Sequence, residues 1–135
     1  MSDEFRTKEM FFHELEIIPG FNEQVSAIIN RYLEFSKLSI YSTKQVFCTI
    51  DGPVYFKGNK LHRVSDSLGP QEPTIKINCV YSGDKVETYI FNIELCYKEG
   101  LLHSNNGYAV YVPGTGFGEY WKDGKMEISF ELLNY

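Results

Sequence analysis

Long apolar runs, paired cysteines and clustered histidines are all missing from this 135-residue sequence. No stretch approaches the roughly 18 consecutive apolar residues of a membrane-crossing helix. The opening residues, MSDEFRTKEM, are charged and lack the apolar core of a secretory signal, so a cytoplasmic protein without membrane contact is expected. The three cysteines, Cys48, Cys79 and Cys96, stand singly inside apolar runs with no CxxC or CxxxC spacing. That usage fits a reducing compartment and argues against a disulfide framework. His13, His62 and His103 form no HxxxH or HExxH pair, so no metal site is expected.

Catalytic signatures are missing too. Serine and aspartate are plentiful, but no GxSxG elbow occurs. Gly114-Thr115-Gly116-Phe117-Gly118 has neither the lysine and following helix of a phosphate loop nor the GxGxxG spacing of a dinucleotide fingerprint. It reads as a flexible connection that could rim a binding site. Neither a catalytic residue nor a cofactor is expected.

Basic residues are short as well: 13 Lys and Arg against 18 Asp and Glu give a net charge of -5. Residues 1–34 carry -4, residues 35–118 +1 and residues 119–135 -2, so the acidity sits towards the two ends. A chain without a basic stripe is a poor holder of phosphate backbones, which argues against nucleic acid. It is better suited to a basic protein partner, because complementary charge speeds encounter.

Aromatic residues are abundant, with ten Tyr and ten Phe. They suit pleated surfaces and recognition patches alike. A chain of this length is most simply one domain, residues 1–135, able to bury roughly 68% of its unfolded surface.

Periodicity orders the chain. Residues 4–15 lean towards a helix through Met10, Phe11 and Leu15, although His13 to Ile17 alternates like a strand. Pro19-Gly20 breaks it. The segment 22–36 predicts an amphipathic helix capped by Asn22. Its apolar face is Val25, Ile28, Ile29, Tyr32, Leu33 and Phe35, with Glu23, Asn30, Arg31 and Glu34 towards water.

From Gln45 the pattern becomes β. Gly58-Asn59, Gly83-Asp84, Asn106-Gly107 and Asp123-Gly124 supply turn chemistry between alternating runs. The predicted strands are 45–50 or 54–57, then 60–64, 74–81, 85–97, 107–112, 118–122 and 125–133, with residues 65–73 as a long loop. The expected fold class is α+β: an N-terminal helix or helices on a curved, mainly antiparallel sheet of about five to seven strands built from hairpins.

The longest run, Lys85 to Tyr97, marks a central strand, because neither face of its second half is wholly polar. Its extended length of about 43 Å is so large for this domain that it must bend, bulge or protrude. Closing the turn at Gly83-Asp84 sets Ile75, Ile77 and Cys79 beside Val86, Thr88 and Ile90, the face expected under the helix. Tyr89, Phe91, Ile93, Leu95 and Tyr97 then form an aromatic face for a loop, a second layer or a partner, with the reverse assignment of the two faces left open.

Two segments echo one another: Val54 to Leu61 (VYFKGNKL) and Glu119 to Met126 (EYWKDGKM). Both predict hairpins, with Phe56 opposite Leu61, Lys57 beside Lys60, Trp121 opposite Met126 and Lys122 beside Lys125. We read two similar hairpins by convergence in preference to a true repeat. Asp51-Gly52-Pro53-Val54-Tyr55 followed by Lys60-Leu61-His62-Arg63 resembles a fragment of MORN-type repeats. The Ala after Pro53 is absent and the unit is not repeated in tandem, so the resemblance carries no function here.

Three functions follow. The first is a non-catalytic immunity or inhibitor protein, of the kind bacteria use, that covers the active surface of a basic toxin such as a nuclease. Glu14, Glu16, Glu119, Glu127 and Glu131 are its candidate contacts, with Tyr120 and Trp121 as anchors. The second is a ligand-binding domain or enzyme with a pocket in a cystatin-like or nuclear-transport-factor-like curved sheet. That pocket would be lined by Tyr89, Phe91, Ile93, Tyr108 and Tyr111, with His62, Asp51 or Glu94 as polar groups. The third is a structural subunit associating through a strand edge.

Overall fold

The computed structural model describes residues 5–37, 44–64, 72–83, 86–105 and 107–129. An N-terminal helix packs against a six-stranded antiparallel sheet, and two small sheets complete an α+β fold.

The start of the chain differs from expectation. Phe5–Lys8 is a strand (β1), and Phe12–Ile17 is a short 3-10 helix. β1 pairs antiparallel with β3 (Val54–Lys57), so cross-strand backbone bonding overrides the local helical spacing. Helix α1 spans Phe21–Phe35. Asn22 is not its cap: Gly20, in the left-handed region at φ 78°, precedes the first turn with no side-chain cap bond. The helix buries Phe21, Val25, Ile28, Ile29, Tyr32 and Leu33, as its stripe predicts, whereas Phe35 is half-buried.

The strands that follow are β2 (Lys44–Ile50), β3, β4 (Lys60–Leu61), β5 (Ile75–Gly83), β6 (Val86–Leu95), β7 (Tyr97–Lys98), β8 (Leu101–Leu102), β9 (Val110–Val112), β10 (Phe117–Lys122) and β11 (Lys125–Ser129). The large sheet runs β11-β10-β9-β6-β5-β2. Both 45–50 and 54–57 are therefore strands, but 60–64 shortens to two residues and 107–112 starts only at Val110. Residues 65–71, Asp84, Lys85, Asn106 and the predicted end of the last strand lie outside the described residues. The long run does break: β6 stops at Leu95, Cys96 donates its N–H to the Ala109 carbonyl, and Tyr97 enters a separate two-stranded sheet.

Register overturns the expected division of faces. Cys79 faces Phe91 rather than Thr88, Ile77 faces Ile93, and Ile75 faces Leu95, with an irregularity between Tyr81 and Gly83. An odd slip moves every side chain of the shifted strand to the opposite face. Ile75, Ile77, Cys79 and Tyr81 therefore share one buried face with Phe91, Ile93 and Leu95, and α1 covers it. Tyr32 packs tilted against Phe91 with ring centroids 4.6 Å apart, and its hydroxyl lies 2.8 Å from that of Tyr89. The aliphatic and aromatic sets form one core.

The two echoing hairpins have the predicted registers. A third lies between them, Tyr97 opposite Leu102 and Lys98 opposite Leu101, turning at Glu99 (φ 48°) and Gly100 (φ 84°). The three stack through identical bonds. Glu99 N–H donates to His62 Nδ1 and Gly100 N–H to the Leu61 carbonyl, both at 2.8 Å. In the next step Asp123 N–H donates to His103 Nδ1 at 3.0 Å and Gly124 N–H to the Leu102 carbonyl at 2.9 Å. The hairpins thus repeat structurally, each tip satisfying its backbone donors on the strand end before it.

His62 gives this ladder a pH dependence. Burial first, and the Lys57 charge second, hold its imidazole below the ordinary 6.5. The unfolded chain takes up the proton first, so this contribution is complete above about pH 6.5 and is lost as pH falls from there through the folded pKa. Urea unfolding at about pH 7.5 and about pH 5 is expected to show wild type losing more stability than His62→Gln. Equal losses would exclude His62 as the titrating group.

Candidate functional site

One face of the large sheet lies against α1; the other carries the candidate site. Strand alternation sends Val46, Cys48 and Ile50 of β2 towards the helix, half-buried against the core, and Phe47 and Thr49 outwards. Phe47 stands opposite Val80, and Val80 opposite Ile90, so three apolar side chains form a row across β2, β5 and β6. Phe47 and Ile90 are each 60% exposed. The next row is polar, Thr49, Asn78 and Asn92, with Asn78 Nδ2 donating to Asn92 Oδ1 at 2.9 Å. Beyond it Lys76 faces Glu94, which faces Tyr111.

A tyrosine cluster ends this face, about 13 Å along β6 from Ile90. Tyr108 lies parallel to Tyr111 with centroids 5.6 Å apart and packs on Tyr120 at 4.7 Å. Burial first, and the Tyr120 hydroxyl second, raise the Tyr108 phenol above its ordinary pKa. Tyr108 sits on Gly118, where an added Cβ would come within 2.6 Å of its ring. Gly118→Val therefore displaces Tyr108; it is expected to cost about 1–3 kcal/mol by thermal unfolding and to change near-ultraviolet tyrosine dichroism. Unchanged spectra and stability would show that the seat tolerates a side chain.

The residues predicted for function scatter. Glu119 is wholly buried and cannot meet a partner: Arg31 Nε and Nη2 donate to its two oxygens at 2.6 and 2.9 Å, and Trp121 Nε1 adds a bond at 3.1 Å. Trp121 itself packs half-buried against the core, and Arg31 is taken from its expected place in water. Glu14 is half-buried, with Oε1 accepting the Phe11 N–H at 2.7 Å. Glu16 and Glu127 are exposed, and Glu131 lies outside the described residues.

The predicted pocket does not assemble. Tyr89, Phe91 and Ile93 lie on the helix side, whereas Tyr111 and Glu94 share the outer face. His62 belongs to the hairpin ladder, and Asp51 is exposed with its N–H on the Lys76 carbonyl. The glycine run is a bonded turn: Thr115 Oγ1 donates to the Val112 carbonyl at 2.7 Å and accepts the Phe117 N–H at 3.1 Å. Among the described residues, no three or more His, Cys, Asp or Glu side chains gather as a metal site.

A second feature went unanticipated. A groove of about 420 Å³ lies between α1 and edge strand β2, lined by Phe12, Val25, Ile29, Leu33, Val46 and Cys48, with Asn22, Ser26 and Asn30 as polar groups. The Asn22 Oδ1 atom is buried and, among the described residues, accepts no hydrogen bond. Neither the groove nor the Phe47–Ile90 row has a local sequence signal, since each needs strands brought together by register.

Comparison with protein-family models, curated proteins and solved structures yields no match.

Proposed function

We propose that this chain is a non-catalytic protein-binding module, of the immunity or inhibitor type, that takes its partner on the open face of the six-stranded sheet. The observation carrying this reading is the in-register row Phe47, Val80 and Ile90, with Phe47 and Ile90 open to solvent. A strand position facing water is ordinarily polar, and large exposed apolar groups in a contiguous row mark association surfaces. The tyrosines 108, 111 and 120 add aromatic area suited to an interface. The net charge of -5 favours a basic partner, whose approach the exposed Glu16 and Glu127 help to steer. Inhibition then follows from coverage: a partner's active surface held against the sheet excludes its substrate.

The test is titration against the purified product of the adjacent gene, at low and high salt. Binding that weakens as salt rises supports the reading; no binding to any neighbour-encoded protein overturns it.

The groove supports a second reading, a small-ligand site, because the unpartnered Asn22 Oδ1 offers an acceptor to a ligand N–H or O–H. A thermal-shift screen of metabolites tests it, with Asn22→Leu expected to abolish any stabilisation found.

A further inference from the structure

Cys48 and Cys79 face one another across β2 and β5. Asp51 N–H donates to the Lys76 carbonyl at 2.9 Å, which makes that facing pair a hydrogen-bonded one. Bonded and non-bonded pairs alternate along an antiparallel ladder, so Ile50–Ile77 is non-bonded, Thr49–Asn78 bonded and Cys48–Cys79 non-bonded. Non-bonded pairs bring Cα atoms to about 4.5 Å and hold their side chains closest. That separation falls within the span of about 4.4–6.8 Å that a disulfide bridges. The two Sγ atoms are 3.9 Å apart and both thiols are free.

Their surroundings differ in a useful way. Cys79 is wholly buried under the helix, whereas Cys48 is half-buried and lines the groove between α1 and β2. The hydrogen bond from the Cys79 thiol lowers the Cys48 pKa against the opposing effect of burial. The same contact, together with burial, raises Cys79. The third cysteine has no such neighbour: Cys96 Sγ lies by the carbonyls of Glu72 and Tyr108, at 3.9 and 3.8 Å, and burial pushes its thiol up to about 12.

We propose that Cys48 and Cys79 form a thiol–disulfide exchange site, in which a low-molecular-weight disulfide of the glutathione class enters the α1–β2 groove, Cys48 attacks it and Cys79 resolves the product. In the first step the Cys48 sulfur, its proton lost to water, bonds to one sulfur of the incoming disulfide. The external S–S bond breaks, and the departing thiolate takes up a proton. In the second step the deprotonated Cys79 attacks the Cys48 sulfur, the second small thiol leaves and is protonated, and a Cys48–Cys79 bond remains. Two protein thiols are oxidised and one external disulfide is reduced to two thiols, so electrons and protons balance. Cys48 acts first because its thiolate is favoured and reachable. The product links edge strand β2 covalently to β5 beside the groove. This site is independent of the partner-binding face, which lies on the other side of the sheet.

The experiment incubates the reduced full chain with oxidised glutathione and maps the products by mass spectrometry after blocking free thiols. The expected wild-type result is a Cys48–Cys79 link with Cys96 blocked as a free thiol. C79S is expected to hold glutathione on Cys48, formed at least about 10-fold faster than on Cys96. C48S is expected to leave Cys79 unmodified. Wild-type Cys48 that stays a free thiol overturns the proposal, and so does a glutathione adduct on Cys48 that Cys79 fails to displace. If either variant fails to fold, the wild-type map decides alone.

Discussion

Replacing Arg31 with methionine is expected to lower the unfolding free energy by about 3 kcal/mol and the melting temperature by roughly 10 °C. The cause is the partner it abandons. Glu119 is 0% exposed, and its carboxylate takes two bonds from the Arg31 guanidinium and one from Trp121. Without the arginine a buried negative charge keeps a single neutral donor, a situation that costs about 3–5 kcal/mol in buried pairs. The Arg31 side chain is 32% exposed, so water recovers part of the loss and the lower end of that range applies. Adding Glu119→Gln removes the stranded charge while keeping an acceptor for Trp121. The double variant is therefore expected to be more stable than Arg31→Met alone. Urea titrations of the four proteins of this cycle measure the coupling directly. A single-variant loss under about 1 kcal/mol would mean that the pair behaves as a surface contact.

Phe47→Asp and Ile90→Asp are each expected to weaken partner binding by about 30-fold or more, and together to abolish it. An apolar anchor at the centre of an interface contributes about 2 kcal/mol or more when lost, and a buried aspartate adds the desolvation of an unpaired charge. Both residues are 60% exposed in the free protein, so the fold should lose no more than about 1 kcal/mol, the cost of aspartate on a strand. Glu16→Ala and Glu127→Ala should act differently, changing the association rate and its salt dependence by a few-fold. Calorimetric titration with unfolding as a control separates these cases. Full-strength binding by the double variant would remove the open face from consideration, whatever the stability.

Much of the architecture was legible because its signals are local. Helix α1 follows from a stripe of apolar residues at helical spacing, and the hairpins at 58–59 and 123–124 follow from residues that tolerate positive φ. The hairpin turning at Glu99-Gly100 was missed because glutamate rarely takes φ 48°; stacking on His62 and Leu61 holds it there. Of the candidate site, Tyr108, Tyr111 and Tyr120 were named, but as parts of two different sites. Phe47 was not named, and Ile90 was placed under the helix although it is 60% exposed, since an alternating strand reads the same whichever of its faces meets the helix.

The sequence by itself determined the α+β class, the amphipathic helix α1 and the hairpin turns at 58–59 and 123–124, all through contacts among near neighbours. Only the tertiary structure decided which side chains of the sheet are core and which are surface. An irregularity between Tyr81 and Gly83 slips the β5–β6 register by an odd number, and with a side-chain period of two that interchanges the faces. Strand order then brings Arg31 to Glu119, Cys48 to Cys79, and Phe47 through Val80 to Ile90. Arg31–Glu119, Cys48–Cys79 and Phe47–Val80 each join residues more than thirty positions apart, and no local pattern encodes the partner. The buried charge is therefore a product of helix-on-sheet packing, and the facing thiols and the open apolar row are products of sheet register.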